Sequence, residues 1–165
     1  MIINHYLLTL LIAIFGLQIS YTTIFAAGSS DDRDSSMSEI VDTNYSNGKD
    51  EAYNGNFRAA IVYLERAIKE NPENADAFNL LGYSNRKLGK NDKAFKFYNK
   101  ALDLDPRHKG AHEYIGRLYL NLKQPENAKK HLAKLVSICF FGCDEYTILK
   151  EAIEDYEKNK TYRNY

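Results

Sequence analysis

Two cysteines, Cys139 and Cys143, stand four residues apart in the stretch ICFFGCD, and the chain has no other thiol. A pair at that spacing can close into a disulfide, cycle between oxidised and reduced forms, or hold a soft metal such as Cu(I). The spacing is C-x3-C, not the C-x2-C of thioredoxin-like sites, and no βαβ pattern surrounds it. A Cu(I) site needs a third ligand; no Met follows, and His131 lies two helical turns upstream. His108 and His112 are four apart, which can place two metal ligands on one helix face, but no Glu follows His108 to make H-E-x-x-H. Asn44-Tyr45-Ser46 and Asn159-Lys160-Thr161 fit the N-x-[ST] acceptor pattern. There is no Ser/His/Asp arrangement with local support, no Gly-rich phosphate loop and no carboxylate pair in a catalytic setting. The chain is therefore read as a non-enzyme with no cofactor.

The elements that hold these groups must come from 165 residues, 44% of them hydrophobic and 27% charged, so a packed core is feasible. Lys+Arg and Asp+Glu each number 22, which leaves no charge excess for nucleic acid and no polybasic membrane segment. Thirteen tyrosines and no tryptophan suggest that tyrosine does much of the aromatic packing. Tyr6–Leu17 is apolar and is followed by the small residues Ala26 and Ala27. The run is shorter than the roughly 20 residues of a membrane span. It reads as a signal peptide over 1–26, although its first residues carry no Lys or Arg. A polar leader follows over 27–38. The mature protein is expected to be exported, periplasmic or secreted. It contacts no membrane unless the first segment is retained as an anchor.

The remainder repeats every 34 residues. That shift aligns Gly48, Gly82 and Gly116; Ala60, Ala94 and Ala128; Leu64, Tyr98 and Leu132; Ala67 with Ala101; Pro72 with Pro106; and Leu81 with Ile115. Val41, Ala75 and Lys109 are place 1 of this frame. Phe78, Leu81 and Asn85 share one helical face, and Gly82 lets a second helix come close. Gly89 ends that helix, and Asn91 or Asp92 is expected to cap the next. Ala94, Tyr98, Ala101 and Leu102 form the inward stripe of the second helix, and Pro106 stops it. Tyr98 and Tyr119, on core places of the frame, are expected inside, as is His112.

This pattern resembles the tetratricopeptide repeat. Ala75–His108 matches it at Phe78, Leu81, Gly82, Ala94, Tyr98, Ala101 and Pro106, with Asn85 where Tyr is usual. Lys109–Gly142 matches at Ile115, Gly116, Tyr119, Ala128 and Leu132, with His112 in the aromatic place. Val41–Asn74 matches at Gly48, Ala60, Leu64, Ala67 and Pro72, with Asn44 and Asn47 where bulky residues are expected. The resemblance implies an all-α, right-handed α-solenoid of about three helix-turn-helix repeats (41–74, 75–108 and 109–142, within 39–143). Residues 144–165 then form a capping helix and tail, with Tyr146, Leu149, Ile153 and Tyr156 on its inner stripe.

In this frame ICFFGCD is the turn between the third repeat and the cap, with its proline replaced by Phe140. A structural disulfide suits the place and the oxidising compartment, and Gly142 can supply the reversal. The redox pair and the metal site stay open. The first helices of such a solenoid line its concave face. The outward places of those helices hold Tyr45, Lys49, Tyr53, Asn79, Tyr83, Arg86, Lys87, Glu113, Arg117 and Asn121. Aromatic rings and cations in a groove suit an extended peptide with carboxylates. The resemblance thus implies a non-catalytic interaction module or scaffold for a peptide or partner protein. The alternative is an accessory role in thiol-redox or copper handling through Cys139 and Cys143. The partner's identity and the oligomeric state are not legible in the sequence.

Overall fold

The computed structural model describes residues 43–159, and every regular element among them is an α-helix. The expected signal peptide, anchor and leader, the end of the tail and most of the second acceptor pattern lie outside these residues. The helices are α1 (43–53), α2 (Phe57–Glu70), α3 (Ala75–Lys87), α4 (Asn91–Leu104), α5 (Lys109–Asn121), α6 (Pro125–Ile138) and α7 (Asp144–Asn159). Within the described residues no helix is long and apolar enough to cross a membrane.

Small residues set how closely the helices pack. Ala60, Ala67, Ala94, Ala101 and Ala128 are fully buried. A Cβ on Gly48 would come within 2.6 Å of the Leu64 side chain, and one on Gly82 within 2.5 Å of two Tyr98 ring carbons. The third glycine departs from this rule. The atoms nearest a Cβ on Gly116 all belong to Leu149 of α7, the closest at 2.5 Å. The cap thus takes the position that the frame assigns to Leu132, which is left only half-buried. α7 packs on both α5 and α6 through Leu149, Ile153 and Tyr156. α1 forms despite Asn44 and Asn47, with Ala52 in the core beside Leu64 and Phe78.

The helix starts alternate in character. Asn74 caps α3, its Oδ1 accepting from Ala77 N–H at 2.9 Å. One repeat later His108 caps α5, its Nδ1 accepting from Ala111 N–H at 3.2 Å. Its Nε2 lies 3.1 Å from Asp76 Oδ1, so the same ring ties α5 to α3. Asn91 and Asp92 do not cap α4. They are already helical, and the residue before them is Lys90, which has no side-chain cap. Gly55, Gly89 and Lys123 share one place in the frame, and all have positive φ. Lys123 adopts at 59° a shape that glycine adopts without strain in the other two repeats.

Candidate functional site

The first helices of the pairs, α1, α3 and α5, carry the candidate groove residues. Lys49 and Tyr53 are exposed, and Tyr45, Tyr83, Lys87, Arg117 and Asn121 are partly buried. Asn79, Arg86 and Glu113 are buried, contrary to the outward placement expected for them. The reason is lateral packing: their places face the next first helix, not solvent. Arg86 is 2% exposed, with its guanidinium carbon 5.5 Å from the Tyr83 ring centre and 5.7 Å from that of Tyr114. Glu113 accepts from Arg117 Nη1 at 2.8 Å. Burial pushes its carboxyl above the usual range, against the opposing pull of Arg117. Asn79 sits at the seam with α5, where its amide nitrogen would be 3.1 Å from a Cβ on Gly110.

A ladder of rings crosses this face. Phe57 meets Tyr83 at 5.8 Å, Tyr83 meets Tyr114 at 5.2 Å, and Tyr114 meets Tyr98 at 5.9 Å between centroids. Burial raises the Tyr114 hydroxyl, and Glu113, Tyr53 and Tyr83 add to the shift. Tyr45 is pushed up to about 12, first by burial and then by Asp76 and Tyr53. Lys87 reaches over the Phe57 ring at 5.8 Å. Its pKa is lowered by burial and then by Arg86 and Arg117, so three cations converge where Glu113 is the buried carboxylate. Such a face offers rings for apolar side chains and cations for carboxylates. Tyr114 and Phe57 were missed by the outward-place rule. Their signal is the chain's excess of aromatics, which does not specify positions.

Tyr98 is fully buried, as its core place requires, and Tyr119 is half-buried. Cys139 and Cys143 form a disulfide with Cα atoms 5.7 Å apart, and Gly142 makes the turn with φ of 89°. Both sulfurs are thereby bonded to each other, and among the described residues no cluster of three metal-ligating side chains occurs. His108 and His112 do not form a two-ligand face. His108 is committed to its cap and to Asp76, while His112 is buried and pairs with His131, Nδ1 to Nδ1 at 3.0 Å. His112 Nε2 is 3.2 Å from the Pro106 carbonyl, so it donates there and its Nδ1 accepts from His131. Burial, His112 and Lys134 depress His131 to about 4. At the first acceptor pattern, Asn44 is half-buried and its amide donates to Glu70 at 3.4 Å.

Comparison with known proteins follows this geometry. Residues 45–109 match one family described as tetratricopeptide repeat, and residues 86–138 match a second with the same description. The "TPR repeat-containing thioredoxin TTL4" of Arabidopsis thaliana is 33% identical over 78 residues, 47% of this chain and 11% of that protein. The "Inactive TPR repeat-containing thioredoxin TTL3" of the same plant is 33% identical over 95 residues, 58% of this chain and 13% of that protein. This chain therefore spans only about a tenth of the length of these curated relatives. Among solved structures, the crystal structure of MamA superposes with a TM-score of 0.52 and 25% identity, covering 72% of this chain and 60% of that one. The two family matches together run from 45 to 138, more than half of the chain and across all three helix pairs. With the glycine and alanine contacts described above, they show that the chain belongs to the tetratricopeptide repeat family.

Proposed function

We propose that this chain is a non-catalytic interaction module that binds an extended, carboxylate-bearing peptide of a partner protein along α1, α3 and α5. The observation that carries this reading is the convergence of Lys87, Arg86 and Arg117 beside the Phe57–Tyr83–Tyr114 ladder. Tyr53 and Lys49 extend the same face with exposed side chains. Arg86 and Glu113 act from beneath, Arg86 against the Tyr83 and Tyr114 rings and Glu113 on Arg117. The working compartment is proposed to be outside the cytoplasm. The apolar run Tyr6–Leu17 and the closed Cys139–Cys143 pair support that proposal.

The test is selection of binders from a random peptide display library with the full chain, then calorimetric titration of the selected peptides. Acid-rich peptides with aromatic or aliphatic side chains are expected. Tyr83→Ala and Lys87→Glu should each weaken them about tenfold, as for a groove anchor. Selected peptides whose affinity neither substitution changes would overturn the assignment.

A further inference from the structure

Two features outside the tyrosine face match each other. The first is a hollow. In the third repeat, Tyr119 lies 5.0 Å from Phe95 of the preceding repeat and 5.8 Å from His131, ring to ring. One repeat earlier, the same three places hold Asn85, Ile61 and Phe97. Asn85 cannot fill the space that Tyr119 fills. Its amide turns back to donate to the Leu81 carbonyl at 2.8 Å. Between Ile61, Asn85 and Phe97 a hollow of about 340 Å³ remains. A cavity of about 150 Å³ is already large enough to bind benzene. Lys90, Lys93, Lys96 and Glu65 complete the lining, and all four are exposed. Among the described residues none of these three ammonium groups lies in an ion pair. The rim therefore has three positive charges against one negative.

The second feature is a knob. Phe140 and Phe141 are 89% and 98% exposed, packed edge to face at 5.3 Å. The disulfide closes the ring of residues that carries them, and exposed Asp144 opens α7 directly afterwards. The other two turns place Pro72-Glu73 and Pro106-Arg107 here. Each phenylalanine left in water forgoes the stabilisation that burial of its ring would bring.

We propose that the Phe140–Phe141 loop of one copy of this chain docks into the Ile61/Asn85/Phe97 hollow of a second copy, with Asp144 facing the lysine rim. The exposure of both rings shows that the loop does not fill the hollow of its own molecule. Knob and hole are different surfaces, so the contact is head-to-tail and leaves each pair with one free knob and one free hole. One loop in one hollow buries far less than the roughly 1,200 Å² of a stable interface. Association is therefore weak, rises with concentration and falls with salt.

Sedimentation equilibrium of the full chain up to about 1 mM, a range that detects weak pairing, tests this. The average mass of the wild type should climb with concentration. Phe140→Ser/Phe141→Ser removes the knob, and Asn85→Tyr fills the hole as Tyr119 does in the third repeat. Lys93→Glu/Lys96→Glu reverses the rim and leaves the core untouched. Each should weaken self-association about tenfold or more while circular dichroism stays helical. An equimolar mixture of the knobless and the filled-hole variants should recover one-to-one pairs and stop there. A wild type that stays monomeric overturns the proposal, as does association that survives the knobless or the reversed-rim variant. So does a mixture that fails to pair, or phenylalanine-dependent binding to phosphatidylcholine vesicles in place of self-association.

Discussion

Replacing Gly82 by alanine adds one methyl group where the structure has no room for it. The new Cβ would overlap Cδ1, Cε1 and Cγ of Tyr98. Tyr98 is fully buried, with the Tyr114 ring centre 5.9 Å away and Ala94, Ile115 and Leu118 in the same cluster. The ring has nowhere to move, so α3 and α4 must separate. Overpacking of a closed core costs up to about 3 kcal/mol. Alanine in place of a mid-helix glycine returns about 1 kcal/mol. The net expectation is a loss of about 2 kcal/mol, read by urea unfolding under circular dichroism with an unchanged m-value. Gly110→Ala is the internal comparison. Its Cβ would meet the amide end of Asn79 at 3.1 Å and the His108 ring at 3.4 Å, and Asn79 can shift. That variant should stay within about 0.5 kcal/mol of the wild type. If Gly82→Ala costs no more than Gly110→Ala, the close-approach explanation of the repeating glycine is refuted.

Two further outcomes follow from the third repeat and its cap. The unfolded chain protonates residue 131 near its ordinary pKa of 6.5, whereas the folded chain resists until about 4. The His131 contribution should therefore be full above pH 6.5 and fall by about 2 kcal/mol as the pH drops towards 4; His112, whose pKa burial also lowers, adds loss in the same direction. His131→Phe, which copies Phe97 one repeat earlier, should reduce that slope in pH-dependent unfolding and leave the part due to His112. Cys143→Ser opens the disulfide ring and should cost about 2 kcal/mol of loop entropy. The loss should show first as faster amide exchange in α7, with α3 and α4 little changed.

The sequence carried the architecture because the frame is written in residues that act locally. Gly48 and Gly82, the five buried alanines, and the Leu64 and Tyr98 that fill the glycine gaps all follow from places counted along one helix pair. The frame was silent where a neighbouring element decides the outcome. It placed Arg86 and Glu113 outward, but Tyr114 of the adjoining helix stacks on Arg86, and Arg117 one turn along the same helix pairs with Glu113. It paired Gly116 with Leu132, but α7 arrives first with Leu149. It offered His108 and His112 as a pair, whereas His112 turns to His131 from α6. The cap at Asn91 or Asp92 failed for a smaller reason: helix α4 begins one residue sooner than a polar cap there would need. Lys123 takes the glycine conformation in the third turn with no compositional sign of it.

The seat that Leu149 occupies beside Gly116 also governs how this molecule could change length. α7 spreads over both helices of the last pair, so a fourth pair appended after Asn159 would find its docking surface taken. A duplicated 34-residue unit spliced between the second and third pairs would instead meet matching neighbours on both flanks. Lengthening by tandem duplication is thus open only in the interior of the array, with the closing segment carried along unchanged.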